Sequence, residues 1–318
     1  MAKTFYSYIK SIYKRRPFFL KTFIYRDEFA ESSNFFCKFK LLSKTVYDTC
    51  VQKRAILFYP DQPLEFHALY KVLTYLGYRI TSNSQKRFNL AIKWWLAFDG
   101  NPFAPAGEMP FNEGIENGLL ILNKNCNDIS KRNINKTFEE VFGYPLEVDP
   151  RKYSGECVMK LNWNALHKGR TIHCPIESVD EEYVYQKLIR NENDDGLVED
   201  MRVPVFGDKT PFIYLKYRTV KDRFVDRVHT NTKATIGEVA DFLSIEELEK
   251  IHCFCKRIGM DYGEVDVLRD SVDERIYIVD ANNTPSGPPS PISKKEGKIA
   301  VKRLSAAFEE AFGTKNKL

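Results

Sequence analysis

"GEVDVLRDSVDERIYIVDANNTP", residues 263–285, sets two runs of alternating apolar residues on either side of a charged turn. Acids interrupt the alternation at Glu264, Asp266 and Asp280, and Asn282 follows two places after the last of them. Successive side chains of a strand point to opposite faces, so Glu264 and Asp266 share one face while Val265 and Val267 take the other. Asp280 and Asn282 likewise share a face, with Val279 and Ala281 opposite. If the strands pair through "SVDE", the two polar faces meet. Crowded carboxylates repel one another and are costly to bury without a counter-charge. A divalent cation relieves that cost, and hard oxygen ligands with one amide suit Mg2+ bridging nucleotide phosphates. The competing reading is the solvated face of an edge hairpin, but "NNTPSGPP" continues the pattern with a rigid turn that a plain hairpin does not need.

The 318 residues leave room for two or three domains, and 43% hydrophobic with 29% charged residues excludes low-complexity disorder over most of the length. The seven cysteines are scattered, odd in number and form no CxxC pair, which reads as reduced thiols in a cytosolic protein. Cys253 and Cys255, two apart on an expected helix, point to different sides and argue against a metal clip. His173, His229 and His252 show no metal spacing. No apolar run is long enough to span a bilayer, and the N-terminal stretch lacks the features of a secretory signal. GxxxxGK[ST] and GxGxxG are absent, so P-loop and Rossmann readings have no support.

Residues 1–53 read as a basic, aromatic, helical leader. Its first 26 residues carry Lys3, Lys10, Lys14, Arg15, Arg16, Lys21 and Arg26 with no acid, and Pro17 breaks or restarts any helix there. Either the leader packs on the body with its basic side in water, or residues 1–26 form an amphipathic arm that rests on an anionic membrane. No nucleic acid is expected, because the stretch lacks a reading motif. Residues 54–123 read as a small α/β domain: "AILFYP" a buried strand, "FHALYKVLTYLGY" a helix stopped at Gly77, "YRIT" and "AIKWWLAF" further strands, with one of Trp94 and Trp95 in the core. In residues 124–190, "NDISKRNINKTFEEVFG" is a helix opened by Asp128 or Ser130 and closed by Gly143, followed by strands "GECVMKLN" and "YVYQKLI". In residues 191–318, "EDMRVPVF" and "PFIYLKYR" make a hairpin, and "SIEELEKIHCFCKRIG" is a helix with a Ser244/Glu247 capping box. The acidic hairpin comes next, then a terminal helix with Ile299, Leu304, Phe308 and Phe312 on one side. The class is α+β behind a smaller α/β unit.

"GEVDVL" and "IVDANNTPSGPP" together resemble the metal-binding end of the ATP-grasp superfamily, with no subfamily identified. The resemblance spans roughly residues 54–293 and is strongest from 184 onward. It implies a small N-terminal α/β (pre-ATP-grasp-like) domain and a two-lobed nucleotide-binding unit of antiparallel sheets and helices, with lobes at 124–190 and 191–318. Carried over, Asp266, Asp280 and Asn282 become ligands of the metal ions that hold ATP, with Glu264 a candidate additional ligand. The resemblance also implies that Lys136 and Lys160 contact the nucleotide phosphates and that "NALHKGR", with His167 and Lys168, is a mobile loop. Gln186, Lys187, Leu188 and Ile189 would meet adenine, Arg202 would face phosphate, and Lys216, Arg218 and Arg223 would stand near the transferred group. Lys131 is a competitor for the role of Lys136, and a salt bridge to Glu199 or Asp200 is the plain alternative for Arg202. The chain departs from the family in a loop with the single glycine Gly169, and in "HTNTKATIGE" where relatives often have Asn and a Gly-Gly pair.

The resemblance implies an ATP-dependent carboxylate–amine ligase using ATP and Mg2+ (two ions, with Mn2+ as a substitute) and a small-molecule or peptide- or glycan-linked acceptor. The alternatives are a kinase of the same fold and a non-catalytic nucleotide-binding assembly protein. A cytoplasmic location is expected, at the inner face of the membrane if the leader is an arm. Acceptor, amine and oligomeric state are not readable from these residues.

Overall fold

The computed structural model describes residues 17–30, 34–96, 101–105, 118–163, 169–224 and 231–313. His167, Lys168, Arg227 and His229 fall outside the described residues, as does the charged stretch before Pro17. Pro17 precedes helix α1 (Phe18–Asp27), a place where its missing N–H costs no intrahelical bond. Helix α2 (Phe35–Val46) is capped by Asn34, which accepts from the Cys37 N–H at 3.1 Å. Arg26 fastens this leader to the body: it donates to Asp48 at 2.6 Å, to Thr45 at 3.1 Å and to the Tyr75 carbonyl at 2.5 Å.

Strands β1 (Ala55–Pro60), β2 (Arg79–Thr81), β3 (Leu90–Trp94) and β4 (Ile121–Leu122) form a parallel sheet in the order β2-β1-β3-β4, with α3 (Ala68–Leu76) in the first crossover. Such a sheet is covered on both faces, so β1 and β3 are nearly continuous apolar runs. Trp94 and Trp95 are both buried, each in a different core. The expectation of a single core tryptophan is corrected because β3 ends at Trp94, so alternation no longer sends the next ring to solvent.

Ser130 caps α4 (Lys131–Phe142), and Gly143 ends it in the left-handed conformation, φ +80°. Strands β5 (Gly155–Leu161), β6 (Arg170–Cys174) and β7 (Tyr183–Lys187) make an antiparallel sheet in the order β6-β5-β7. The second antiparallel sheet has five strands: β8 (Leu197–Phe206), β9 (Ile213–Thr219), β10 (Lys233–Gly237), β11 (Tyr262–Arg269) and β12 (Ile276–Asn282). Their order is β10-β9-β8-β11-β12. Helix α5 (Ile245–Arg257) opens on the expected capping box, with both reciprocal Ser244–Glu247 bonds present. Gly259 follows it at φ +74°, and a Cβ there would lie 2.4 Å from the Asn125 carbonyl, so no other residue fits without backbone movement.

One face of the five-stranded sheet, with Met201, Val203, Val205, Val265 and Val267, packs on α4 and α5. The other face presents Phe206, Tyr214 and Tyr262 to α3 and to the terminal helix α6 (Lys294–Phe312). On α6 the buried stripe is Ala300, Leu304, Phe308 and Phe312; Ile299 is 39% exposed and is corrected to the outer side. It precedes Leu304 by five residues, which sets it about 140° round the helix from that residue. Among the described residues no helix is long and apolar enough to cross a membrane. Phe308→Ala should lower the unfolding free energy by about 3–5 kcal/mol in urea denaturation, whereas Ile299→Ala should cost under about 1 kcal/mol.

Candidate functional site

Beyond its aromatic end, the same sheet face turns ionic. The β11–β12 register places Asp266 opposite Asp280 and Glu264 opposite Asn282, with a bulge after Asp266. On its other edge β11 sets Asp266 opposite Arg202. The two polar strand faces therefore do meet, and Asp280, Asp266 and Arg202 form one cross-strand row.

Asp266 is the hub of that row. The Arg202 guanidinium donates to both its carboxylate oxygens, at 2.9 and 3.3 Å, and Lys216 Nζ donates to Oδ1 at 3.1 Å. Burial opposes ionisation of Asp266, but Arg202 and then Lys216 overcome it and hold the carboxyl far below the usual range. The plain alternative for Arg202 is thus corrected. Its partner is neither Glu199 nor Asp200, because the sheet order brings β11 alongside β8; Asp200 is taken by Arg218.

Asp280 is held by Lys131 and by the Ala281 N–H at 2.9 Å. Lys131 is the first residue of α4 and is buried, on the stripe of Ile134 and Phe138. Lys136 stands about 140° further round the helix. Its side chain is 76% exposed and faces Glu140 at 4.0 Å. The lysine of this helix that reaches the acidic cluster is Lys131, whereas Lys136 points away from it.

Lys160 reaches the cluster from β5. It is half-buried and has no hydrogen bond or ion pair among the described residues. Burial, and then the charge of Lys131, push its pKa down to about 8, while Asp280 and Asp266 pull it up. Gly169 lets the neighbouring chain approach: a Cβ there would lie 3.4 Å from Lys160 Cγ and 3.2 Å from the Phe224 ring.

Glu264, 3% exposed, lies beside this cluster with Oε2 3.6 Å from Arg202 Nε but without a hydrogen bond. Burial pushes its pKa up to about 7 against the pull of Arg202. The Tyr214 hydroxyl beneath is also buried and unpartnered. Asn282 Oδ1 accepts from the Thr284 N–H at 2.9 Å, which starts the "TPSGPP" turn. That turn docks on the mouth of α3: Ala68 N–H donates to the Pro285 carbonyl at 3.0 Å, Gly287 N–H to the Phe66 carbonyl at 3.1 Å, and Lys71 to the Gly287 carbonyl.

The remaining expected residues serve other contacts. Arg223 binds Glu192 at 2.5 Å and the Ile189 carbonyl at 3.4 Å, away from the Asp266 row. Gln186 is buried and donates to Asn135 at 2.7 Å, which in turn donates to Glu147 at 3.0 Å. Lys187 binds Asp273 at 2.6 Å, Asp270 at 2.7 Å and the Tyr277 hydroxyl at 3.1 Å, clipping β7 to the β11–β12 turn. Leu188 is half-buried and Ile189 belongs to the core. Among the described residues no group of three or more His, Cys, Asp or Glu side chains is gathered to hold a metal.

No protein-family model matches the sequence, and no curated protein matches it. Solved structures do. The ATP-grasp ligase PsnB, complexed with minimal precursor, Mg and ADP, superposes with a TM-score of 0.50 at 13% identity, over 80% of this chain and 97% of that one. D-alanine–D-alanine ligase from Bacillus anthracis, complexed with ATP, gives 0.47 at 13% identity over 81% and 95%. The macrocyclase MdnC with precursor peptide MdnA, from Microcystis aeruginosa MRC, gives 0.40 at 12% identity over 79% and 98%. The chain has the ATP-grasp fold.

A carboxyl whose folded pKa is raised contributes stability fully below its unfolded value and loses it as pH rises through the folded one. For Glu264 that window runs from 4.5 to about 7. Stability should fall by roughly 3 kcal/mol across it. Urea midpoints taken at both ends should show this loss in the native chain and not in Glu264→Gln.

Proposed function

We propose that the chain is an ATP-dependent ligase that activates a carboxylate as an acyl phosphate and joins it to an amine. The observation that carries this reading is the Asp280–Asp266–Arg202 row, flanked by Lys216, Lys131 and Lys160 from three further elements. Around the acids Glu264, Asp266 and Asp280, Lys160 is the cation of this set that has no hydrogen bond or ion pair among the described residues. A polyphosphate supplies the missing anion.

The described acids alone do not make a closed metal site, so Mg2+ would be held here together with phosphate oxygens. Asp266, Asp280 and Asn282 offer hard oxygens from adjacent strands, and Glu264 Oε2 is a buried acceptor with no hydrogen bond. Mg2+ held there would shield phosphate charge and polarise the transferred phosphoryl group, with Mn2+ able to substitute and a second ion accommodated by the same acids. Lys131 and Lys160 bind phosphate oxygens. Arg202 and Lys216, already oriented by Asp266, face the negative charge that develops on the phosphoryl group as it passes to the carboxylate. Arg218 borders them, its field felt with that of Asp266. We assign the base to the segment Gln186–Ile189, whose Gln186 is bonded to Asn135 and whose Lys187 is bonded to Asp270 and Asp273. The "TPSGPP" turn and the mouth of α3 line the acceptor side. A peptide-borne carboxylate is the acceptor class we favour, supported by the fold shared with PsnB, whose structure holds a precursor.

The test is to supply ATP and Mg2+ with carboxylate-bearing peptides and simple amines, and to follow phosphate. Release of phosphate that needs both substrates is the expected result; a stable phosphoester without free phosphate would make the chain a kinase. Lys131→Ala should slow turnover by about 30- to 100-fold, the loss of one charge-assisted contact, whereas Lys136→Ala should leave it within about twofold. Metal-free ADP should bind more weakly as pH rises through about 8, because Lys160 then discharges, and Lys160→Met should flatten that profile in calorimetry.

A further inference from the structure

Helix α2 packs with its polar stripe inward and its aromatic stripe outward. Thr45 and Asp48 hold Arg26 on the inner side. On the outer side Phe35, Phe36 and Phe39 are 76, 80 and 61% exposed, and Val46, Tyr47 and Val51 continue the exposed surface into the following turn. The Phe35 and Phe39 rings stack with centroids 6.4 Å apart, and Phe36 meets Phe35 edge-on at 6.0 Å. Single exposed apolar residues are ordinary, but six along 17 consecutive residues form a continuous patch that marks an interaction surface.

Charge says what covers it. Residues 1–53 hold eleven lysines and arginines against four acids, while the rest of the chain holds 37 against 39. Two of those four acids, Asp27 and Asp48, are already paired with Lys38 and Arg26. Lys40 and Lys44 stand exposed on α2 itself. We propose that α2 docks on an anionic lipid bilayer, its phenylalanines entering the boundary between headgroups and acyl chains and its lysines meeting headgroup phosphates. A second copy of the chain fits less well, because it would bring two segments of the same sign together. The leader and the "TPSGPP" turn also hold opposite ends of α3. The leader grips the C-terminal end of α3 at Tyr75, whereas the "TPSGPP" turn sits on its N-terminal end at Ala68. The helix between them is about 13 Å long.

The full chain should co-sediment with phosphatidylcholine vesicles containing about 30 mole per cent phosphatidylglycerol, less so at high salt, and only weakly with phosphatidylcholine alone. Replacing Phe35, Phe36 and Phe39 together by Ser should lower that binding at least about tenfold with nucleotide binding unchanged. Should the triple variant fail to fold, Lys40→Glu with Lys44→Glu decides, and it too should weaken binding. Failure of the native chain to sediment with the anionic vesicles, or retention of full binding by the folded variants, would overturn the proposal. So would a dimer in light scattering that the aromatic variant dissolves, which would assign the patch to a second copy.

Discussion

Asp266 is the constraint around which the rest is arranged. Alternation along β11 puts it on the same sheet face as Tyr262, and alternation along β8 puts Arg202 on the same face as Phe206. One face of one sheet therefore has to bury aromatic rings at one end and charges at the other. The aromatic end is closed by α3 and α6. The ionic end tolerates burial because every carboxylate in it has a cation within reach, and removing one partner would leave an uncompensated charge at a cost of several kcal/mol. The positions of α4, β9 and β5 follow from that requirement, since Lys131, Lys216 and Lys160 have to converge on two acids of the hairpin.

The sheets and helices are joined by specific polar bonds. Arg54 binds both carboxylate oxygens of Glu309, at 2.6 and 2.8 Å, fixing the parallel sheet to α6. The Asn123 side chain exchanges two bonds with the Tyr262 backbone, fixing the end of β4 to the start of β11. The three-stranded sheet has a small core of its own, with Cys157, Met159, Cys174 and Tyr185. Gln186 ties it to α4 through Asn135, and Lys187 ties it to the β11–β12 turn through Asp270 and Asp273. Those side chains, expected at a nucleotide, are thus engaged in contacts with Asn135, Asp270 and Asp273.

Much of this was readable before the fold was known. The meeting of the two polar strand faces was expected, but Asp266 comes opposite Asp280 only through the bulge after it, which the two-residue period does not reveal; the Ser244 box and the Gly143 stop followed from local chemistry. Lys131 was half readable: it lies three residues before Ile134 and seven before Phe138, on the apolar stripe, a phase that favours it over Lys136. The partner of Arg202 was not readable. Glu199 and Asp200 are near in sequence, but the choice of Asp266 depends on β8 lying next to β11 across 64 residues, which is a property of sheet order. Strand β6 was missed because "RTIHC" is short and only its last residue is buried. Ile299 was misplaced because an apolar residue near a stripe need not be in phase with it.

The order of charges across the hairpin explains why the acids can be neighbours at all. Directly opposed strand residues have side chains about 5 Å apart, and two carboxylates at that distance repel by roughly 3 kcal/mol at an effective dielectric constant of 20. A cation at hydrogen-bond distance returns about 5 kcal/mol on the same scale. Lys131 flanks Asp280 on one side, and Arg202 with Lys216 flanks Asp266 on the other, so the sequence of signs is plus, minus, minus, plus. Attraction at the two ends outweighs repulsion in the middle, which is why Asp266 stays ionised where burial alone would have protonated it. Glu264 has the opposite fate. Its Arg202 partner stands at 3.6 Å and is already bonded to Asp266, so desolvation prevails. Two acids on the same strand face, two residues apart, thus have their pKa values moved in opposite directions, because Arg202 and Lys216 are bonded to only one of them.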